Sequence, residues 1–106
     1  MISGYALAYG VTVVLETPVV ALAYPKERLR MAVACILATS ATHLFMHFVL
    51  TALVSRLQVW LVVGEASATV LEALVYWRAS REHDVGRALA VSAVANTLSF
   101  AAGFVL

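Results

Sequence analysis

Glu16, His43, His47, Glu65 and Glu72 lie inside long apolar stretches of the chain, where an ionisable side chain is costly unless it has a partner and a task. Carboxyl and imidazole groups both pass protons near neutral pH once their surroundings are tuned, and both hold cations. Proton transfer and cation binding are therefore the chemistry these residues offer. Counting about 1.5 Å of rise per residue from the span centres puts His43 and Asn96 near a membrane midplane. On the same count Glu65 and His47 lie toward one side and Glu16 and Glu72 toward the other, so the groups form a ladder across the bilayer.

His43 and His47 are one helical turn apart, a spacing that can chelate a transition metal with help from Glu16 or Glu65, or offer one imidazole to a tetrapyrrole metal. The other ring N–H of such a ligand normally donates to a carboxylate or carbonyl, which the two glutamates can supply. Carboxylate-bridged dimetal bundles use Glu-x-x-His, and that motif does not occur in the chain. Glu65 and Glu72 share a helix face two turns apart and need separate partners. The bland alternative for all five is interhelical hydrogen bonding that fixes register. Cys35 is the only cysteine, which excludes an internal disulfide and any cysteine-pair site. No phosphate-binding loop, serine nucleophile with a base, or zinc-protease motif is present, so the chain does not read as an enzyme.

The elements that must position these groups are long and apolar. Of 106 residues, 63% are hydrophobic and 12% charged, against about a quarter charged in soluble domains. Residues 4–24, 31–55, 57–77 and 88–106 each approach or exceed the length of about 20 residues that crosses a hydrocarbon core. Barrel strands would alternate apolar and polar residues in segments of about ten, and these runs do not. The fold expected is all-α: a single transmembrane domain, a bundle of four helices with short loops. No basic segment or small-residue cleavage site marks the first span as a signal, so it reads as a retained helix. A net charge of +1 without a clustered basic face gives no reason to expect nucleic acid.

Lys26, Arg28 and Arg30 fall between the first two spans, and Arg78, Arg81 and Arg87 between the last two. Arg56 stands alone in the middle connection. Short basic loops stay in the cytoplasm, so loops 25–30 and 78–87 are expected there, with both termini and the Arg56 turn outside. That is the topology of a multi-pass protein of the bacterial inner membrane. Tyr5, Tyr9, Tyr24, Trp60, Tyr76 and Trp77 cluster toward span ends as interfacial aromatics do. Pro25 ends the first helix, whereas Pro18 lies within it. LATSAT at 37–42 and LAVSAV at 89–94 hint at a parallel repeat of the halves, in a composition where alanine and valine align readily by chance.

Residues three, four or seven apart share a helix face. The polar stripes are Tyr9, Thr12 and Glu16 on the first helix, and Cys35, Thr39, His43 and His47 on the second. On the third they are Glu65, Thr69, Glu72 and Tyr76, and on the fourth Ser92, Asn96, Ser99 and Gly103. Lipid-facing surfaces exclude such groups, so the stripes converge on the bundle interior or on a neighbouring subunit. Glu16, His43, His47, Glu65, Glu72 and Asn96 form the expected pathway, with Thr12, Thr39, Tyr76, Ser92 and Ser99 supporting it.

The order Glu16, Thr42-His43, Glu65, Glu72 and Ala95-Asn96-x-x-Ser99 resembles a pattern of small uncharacterised bacterial polytopic membrane proteins, although Leu44 stands where such proteins often have proline. That resemblance implies a four-helix integral membrane protein and no particular activity. Length, span number and a single glutamate in the first helix also resemble the small multidrug-resistance exporters. The resemblance implies that Glu16 alternates between protons and a cationic substrate, while the third helix here lacks that family's aromatic and glycine pattern. The function expected is non-enzymatic handling of protons or small cations, by a homo-oligomer or a subunit of a larger membrane complex. A purely structural subunit, a metal or tetrapyrrole binder and an exporter-like transporter are the alternatives.

Overall fold

The computed structural model describes residues 2–103. The last three residues of the expected fourth span, and the Tyr5 side chain placed in the aromatic belt, lie outside the described residues. Within them the chain is all-helical. The first helix is Ile2–Ala23 and runs on through Pro18. The second begins as Arg28–Leu44, passes into a π-helical segment, Phe45–Leu50, and ends in the turn Thr51–Leu53. The third is Leu57–Ala79 and the fourth Val85–Gly103.

All four helices are long and apolar enough to cross a membrane. Surface and interior are inverted relative to a soluble domain. Leu7, Val14, Leu22, Leu37 and Val62 are each more than three-fifths exposed, whereas Glu16, Thr39, Thr42, Glu72, Ser92 and Asn96 are buried. An apolar exterior on this scale would aggregate in water and is stable in lipid. Polar stripes too narrow to cover a helix have been turned inward. The molecule measures 40 × 22 × 19 Å, close to a bilayer's thickness of about 40–45 Å with headgroups.

Helix boundaries extend beyond the apolar runs. The second helix starts at Arg28 rather than residue 31, and the fourth at Val85 rather than residue 88. Charged flanks cost nothing at a membrane surface, and a hydrogen-bonded start favours them: the Asp84 carboxylate accepts the Arg87 N–H at 3.0 Å, an N-cap bond. The four helices form a closed square, first against second, second against third, third against fourth, and fourth against first. Residues that meet across its centre thus come from helices far apart in sequence.

The two ends differ. Near the basic loops the interior is filled by Val20, Met31, Ala34, Cys35, Ala38, Tyr76, Ala88 and Val91. The loops there are cross-tied. Glu27 accepts the Ser80 hydroxyl at 2.8 Å and the Arg81 N–H at 2.9 Å. Arg30 donates to the Ala79 carbonyl at 3.3 Å, and Arg87 donates to the Ala23 carbonyl, so the first and third helices have C-terminal carbonyls satisfied by arginines from other elements. The Arg81 N–H, and after it the Ser80 hydroxyl, hold the Glu27 carboxyl below the usual glutamate range.

The opposite end carries the π-segment. Its widened turn reaches five residues, with the Thr51 N–H on the Met46 carbonyl. That carbonyl also accepts the Thr51 hydroxyl at 2.9 Å and the Trp60 indole N–H at 3.2 Å. Gly64 on the third helix packs against the ends of the Met46 and Leu50 side chains. A Cβ there would sit 2.5 Å from the Met46 methyl carbon.

Candidate functional site

Four helices contribute to one polar cluster at the bundle centre, built around Glu16 and Glu72. Each side chain is buried, at 0% and 1% exposure. They come from the first and third helices, which stand diagonally in the square, and their carboxyl groups meet each other across it. Glu16 Oε2 lies 2.6 Å from the Ser99 hydroxyl, and its Oε1 accepts a longer bond of 3.5 Å from Thr39. Glu72 Oε2 lies 2.9 Å from the Thr42 hydroxyl, and its Oε1 accepts the Asn96 amide N–H at 3.0 Å. Asn96 is held in turn by donating to the Ser92 carbonyl at 2.9 Å, and the Ser92 hydroxyl donates to the Thr69 carbonyl at 2.7 Å. Every donor to the pair is neutral. Two ionised carboxylates side by side in a low-dielectric interior would repel, and no donor here carries a charge to offset that repulsion.

The hydroxyl partners are arranged to serve either state. A hydroxyl has one proton to donate and lone pairs to accept. Thr42 Oγ1 stands 3.1 Å from the Thr39 carbonyl as well as 2.9 Å from Glu72, and Ser99 Oγ stands 3.2 Å from the Asn96 carbonyl as well as 2.6 Å from Glu16. Facing an ionised carboxylate, each hydroxyl donates to it. Facing a protonated one, each can turn its proton to the carbonyl and accept instead. Glu72 Oε1 is fixed as an acceptor by Asn96, which leaves Oε2, opposite Thr42, as the oxygen that takes a proton.

The pair forms the floor of a cavity of about 370 Å³ that extends from it toward the end of the termini and the Arg56 turn. Thr12, His43, Met46, His47, Trp60, Glu65 and Phe100 also line it, and neither lysine nor arginine does. Glu65 stands above the pair, half-buried, and also lines a groove of about 550 Å³ on the outer face between the third and fourth helices. Toward the basic loops the packed cluster around Tyr76 and Met31 closes the floor.

Several expected placements change. Glu16, Glu72 and Asn96 are on one level, and the ladder is instead a central pair with Glu65 and the histidines above it toward the termini. Asn96 directs its amide to Glu72 and Ser92. His43 is half-buried, edge-on to Tyr9 with ring centroids 5.6 Å apart, while His47 is exposed at the cavity rim, edge-on to Phe48. Both histidines line the cavity, as their shared stripe implies, with His43 the more buried and His47 at the rim. Among the described residues no group of three or more His, Cys, Asp or Glu side chains is placed to hold a metal ion. Tyr76 belongs to the packed core and not to the cavity. The Thr12 and Thr69 hydroxyls donate to the carbonyls of Ala8 and Glu65 on their own helices.

Thr42 was not among the expected site residues. Its signal was present: it lies three residues after Thr39, on the face shared by Cys35 and Ala38. Comparison with protein-family models, curated proteins and solved structures gives no match to this chain.

Proposed function

We propose that this chain is a non-enzymatic multi-pass membrane protein that handles protons and small cations, with the Glu16–Glu72 pair alternating between a held proton and a cation admitted from the cavity. One observation carries this reading: two carboxyl groups from diagonal helices share a buried floor with neutral hydroxyls that can serve either protonation state. A pair kept only for helix register would need neither an open cavity above it nor hydroxyls with alternative acceptors. The cavity volume admits a hydrated inorganic ion or a small organic cation, and Trp60 and Phe100 in its wall suit the latter. The basic loops are the cytoplasmic side in this proposal, so the cavity faces outside, in a bacterial inner membrane. A homo-oligomer or complex subunit is compatible with it.

Proteoliposomes carrying an imposed pH gradient test the reading with sodium, potassium and tetramethylammonium as probes. Wild type should move at least one of them with counterflow of protons, and Glu16→Gln and Glu72→Gln should not. Background flux of all three cations and of protons in wild type would end it.

A second reading is a structural subunit whose polar groups choose a partner helix. Glu65 favours it, because this carboxyl also faces the groove between the third and fourth helices. Stoichiometric co-purification with a larger complex in mild detergent, lost in Glu65→Leu, would support it, and recovery of an active isolated species would count against it.

A further inference from the structure

The basic end holds a second polar hollow, separate from the carboxyl pair and facing the other way. It measures about 330 Å³ and is lined by Tyr24, Lys26, Glu27, Arg81, Glu82 and Arg87. A neighbouring hollow of about 230 Å³ shares Lys26, Glu27 and Arg81 and adds Arg28, Leu29 and Arg30. The acids in these walls are already committed. Glu27 accepts from Ser80 and the Arg81 N–H, and Glu82 pairs with Arg87 at 2.8 Å. Three cationic head groups, Lys26, Arg28 and Arg81, stand against one carboxylate without a cationic partner, Glu27, a local excess of positive charge.

Tyr24 supplies the second observation. Its side chain is 3% exposed and its hydroxyl has no hydrogen-bond partner among the described residues. The Arg87 guanidinium lies 5.0 Å from the centre of its ring. A buried hydroxyl without a partner costs free energy that a ligand oxygen would recover. The hydroxyl is closed off in this conformation, so a tetrahedral oxyanion held by the cationic wall would reach it once the Arg87 side chain over the ring moves aside.

We propose that the hollow between Tyr24, Lys26, Arg81 and Arg87 binds a phosphate ester, the headgroup phosphate of an acidic phospholipid. Its place at the ends of membrane-length helices sets the phosphate at headgroup depth, and Leu29, 80% exposed on the adjoining rim, lies where an acyl chain descends. The proposal does not depend on the role of the carboxyl pair.

Native mass spectrometry of the delipidated full chain tests it, with phosphatidylglycerol, phosphatidylcholine and soluble glycerol phosphate as probes. Wild type should retain phosphatidylglycerol in preference to phosphatidylcholine. Tyr24→Phe, Lys26→Gln and Arg81→Gln should each weaken that binding about tenfold, the loss of one charge-assisted hydrogen bond. Arg78→Gln should not, because that guanidinium is turned onto the Trp77 ring, 5.9 Å from its centroid, outside the hollow. Displacement of the lipid by equimolar glycerol phosphate would support the site and make the free ester its occupant. Equal retention of both lipids, an unchanged Tyr24→Phe variant, or an equal loss in Arg78→Gln and Arg81→Gln would overturn it and leave only general attraction between basic loops and anionic lipid.

Discussion

Replacing Asn96 by alanine removes the fixed donor that joins the fourth helix to the carboxyl pair. The amide is 6% exposed and donates to Glu72 Oε1 at 3.0 Å and to the Ser92 carbonyl at 2.9 Å. Interhelical hydrogen bonds in membranes average about 0.6 kcal/mol and reach about 1.7. This bond falls in the upper half of that range, because it ends on a carboxyl oxygen in a site with no other fixed donor to that atom. The bond within the helix to Ser92 adds little, since that carbonyl keeps its backbone ladder. A total loss of about 1.5 kcal/mol follows, of which about 1 kcal/mol should appear as coupling between Asn96 and Glu72. Unfolding in mixed micelles on titration with sodium dodecyl sulfate, followed by far-ultraviolet circular dichroism, measures it across Asn96→Ala, Glu72→Ala and the double variant. Thr97→Ala, on the exposed face of the same helix, is the control and should be neutral. A loss under about 0.3 kcal/mol for Asn96→Ala, or strict additivity with Glu72→Ala, would refute the reasoning, because residues joined by a buried bond must couple.

Thr42→Val keeps shape and removes the hydroxyl that can turn between Glu72 and the Thr39 carbonyl; proton-coupled flux in proteoliposomes should fall by about tenfold or more while the folded fraction stays high. Gly64→Leu drives a side chain into Met46 and Leu50 and should cost about 1–3 kcal/mol, as overpacked cores do, with partial recovery in the Met46→Ala background, both read from the same micelle titration. The Glu27 carboxyl is held below its ordinary range when folded, so its contribution to stability is fully present above the unfolded glutamate value and is lost as pH falls through the folded one. An acid titration of stability should therefore show a shallower falling limb in Glu27→Gln than in wild type, and identical limbs would contradict the Ser80 and Arg81 clasp.

Much of the bundle was legible because hydrocarbon leaves few options: long apolar runs must be helices, and polar stripes on them must face one another. The membership of Glu16, Glu72, Asn96, Ser92, Ser99 and Thr39 in the interior followed from that alone. Their pairing did not. Which carboxyl meets which depends on the cyclic order of the helices and their relative heights, and a sequence gives spacing along a helix but not offset between helices. The π-segment was hidden for a different reason. Face assignments assume a uniform turn, and the π-segment at Phe45–Leu50 changes the turn inside one helix through a carbonyl shared with Thr51 and Trp60. The Tyr24 hollow was also out of reach, since its walls come from two loops that sequence shows only as charge runs.

Proton release on cation binding tests the role of the carboxyl pair most directly. The detergent-solubilised protein is titrated in weakly buffered solution with sodium, potassium and tetramethylammonium, and a pH indicator reports protons released per cation bound. Wild type should release about one proton for each cation, since a pair that holds one proton must surrender it to admit a positive charge. Glu16→Gln and Glu72→Gln should release none, while His47→Ala, altered only at the cavity rim, should release as much as wild type. Cation binding with no proton release in wild type, or release that survives both glutamine substitutions, would contradict it.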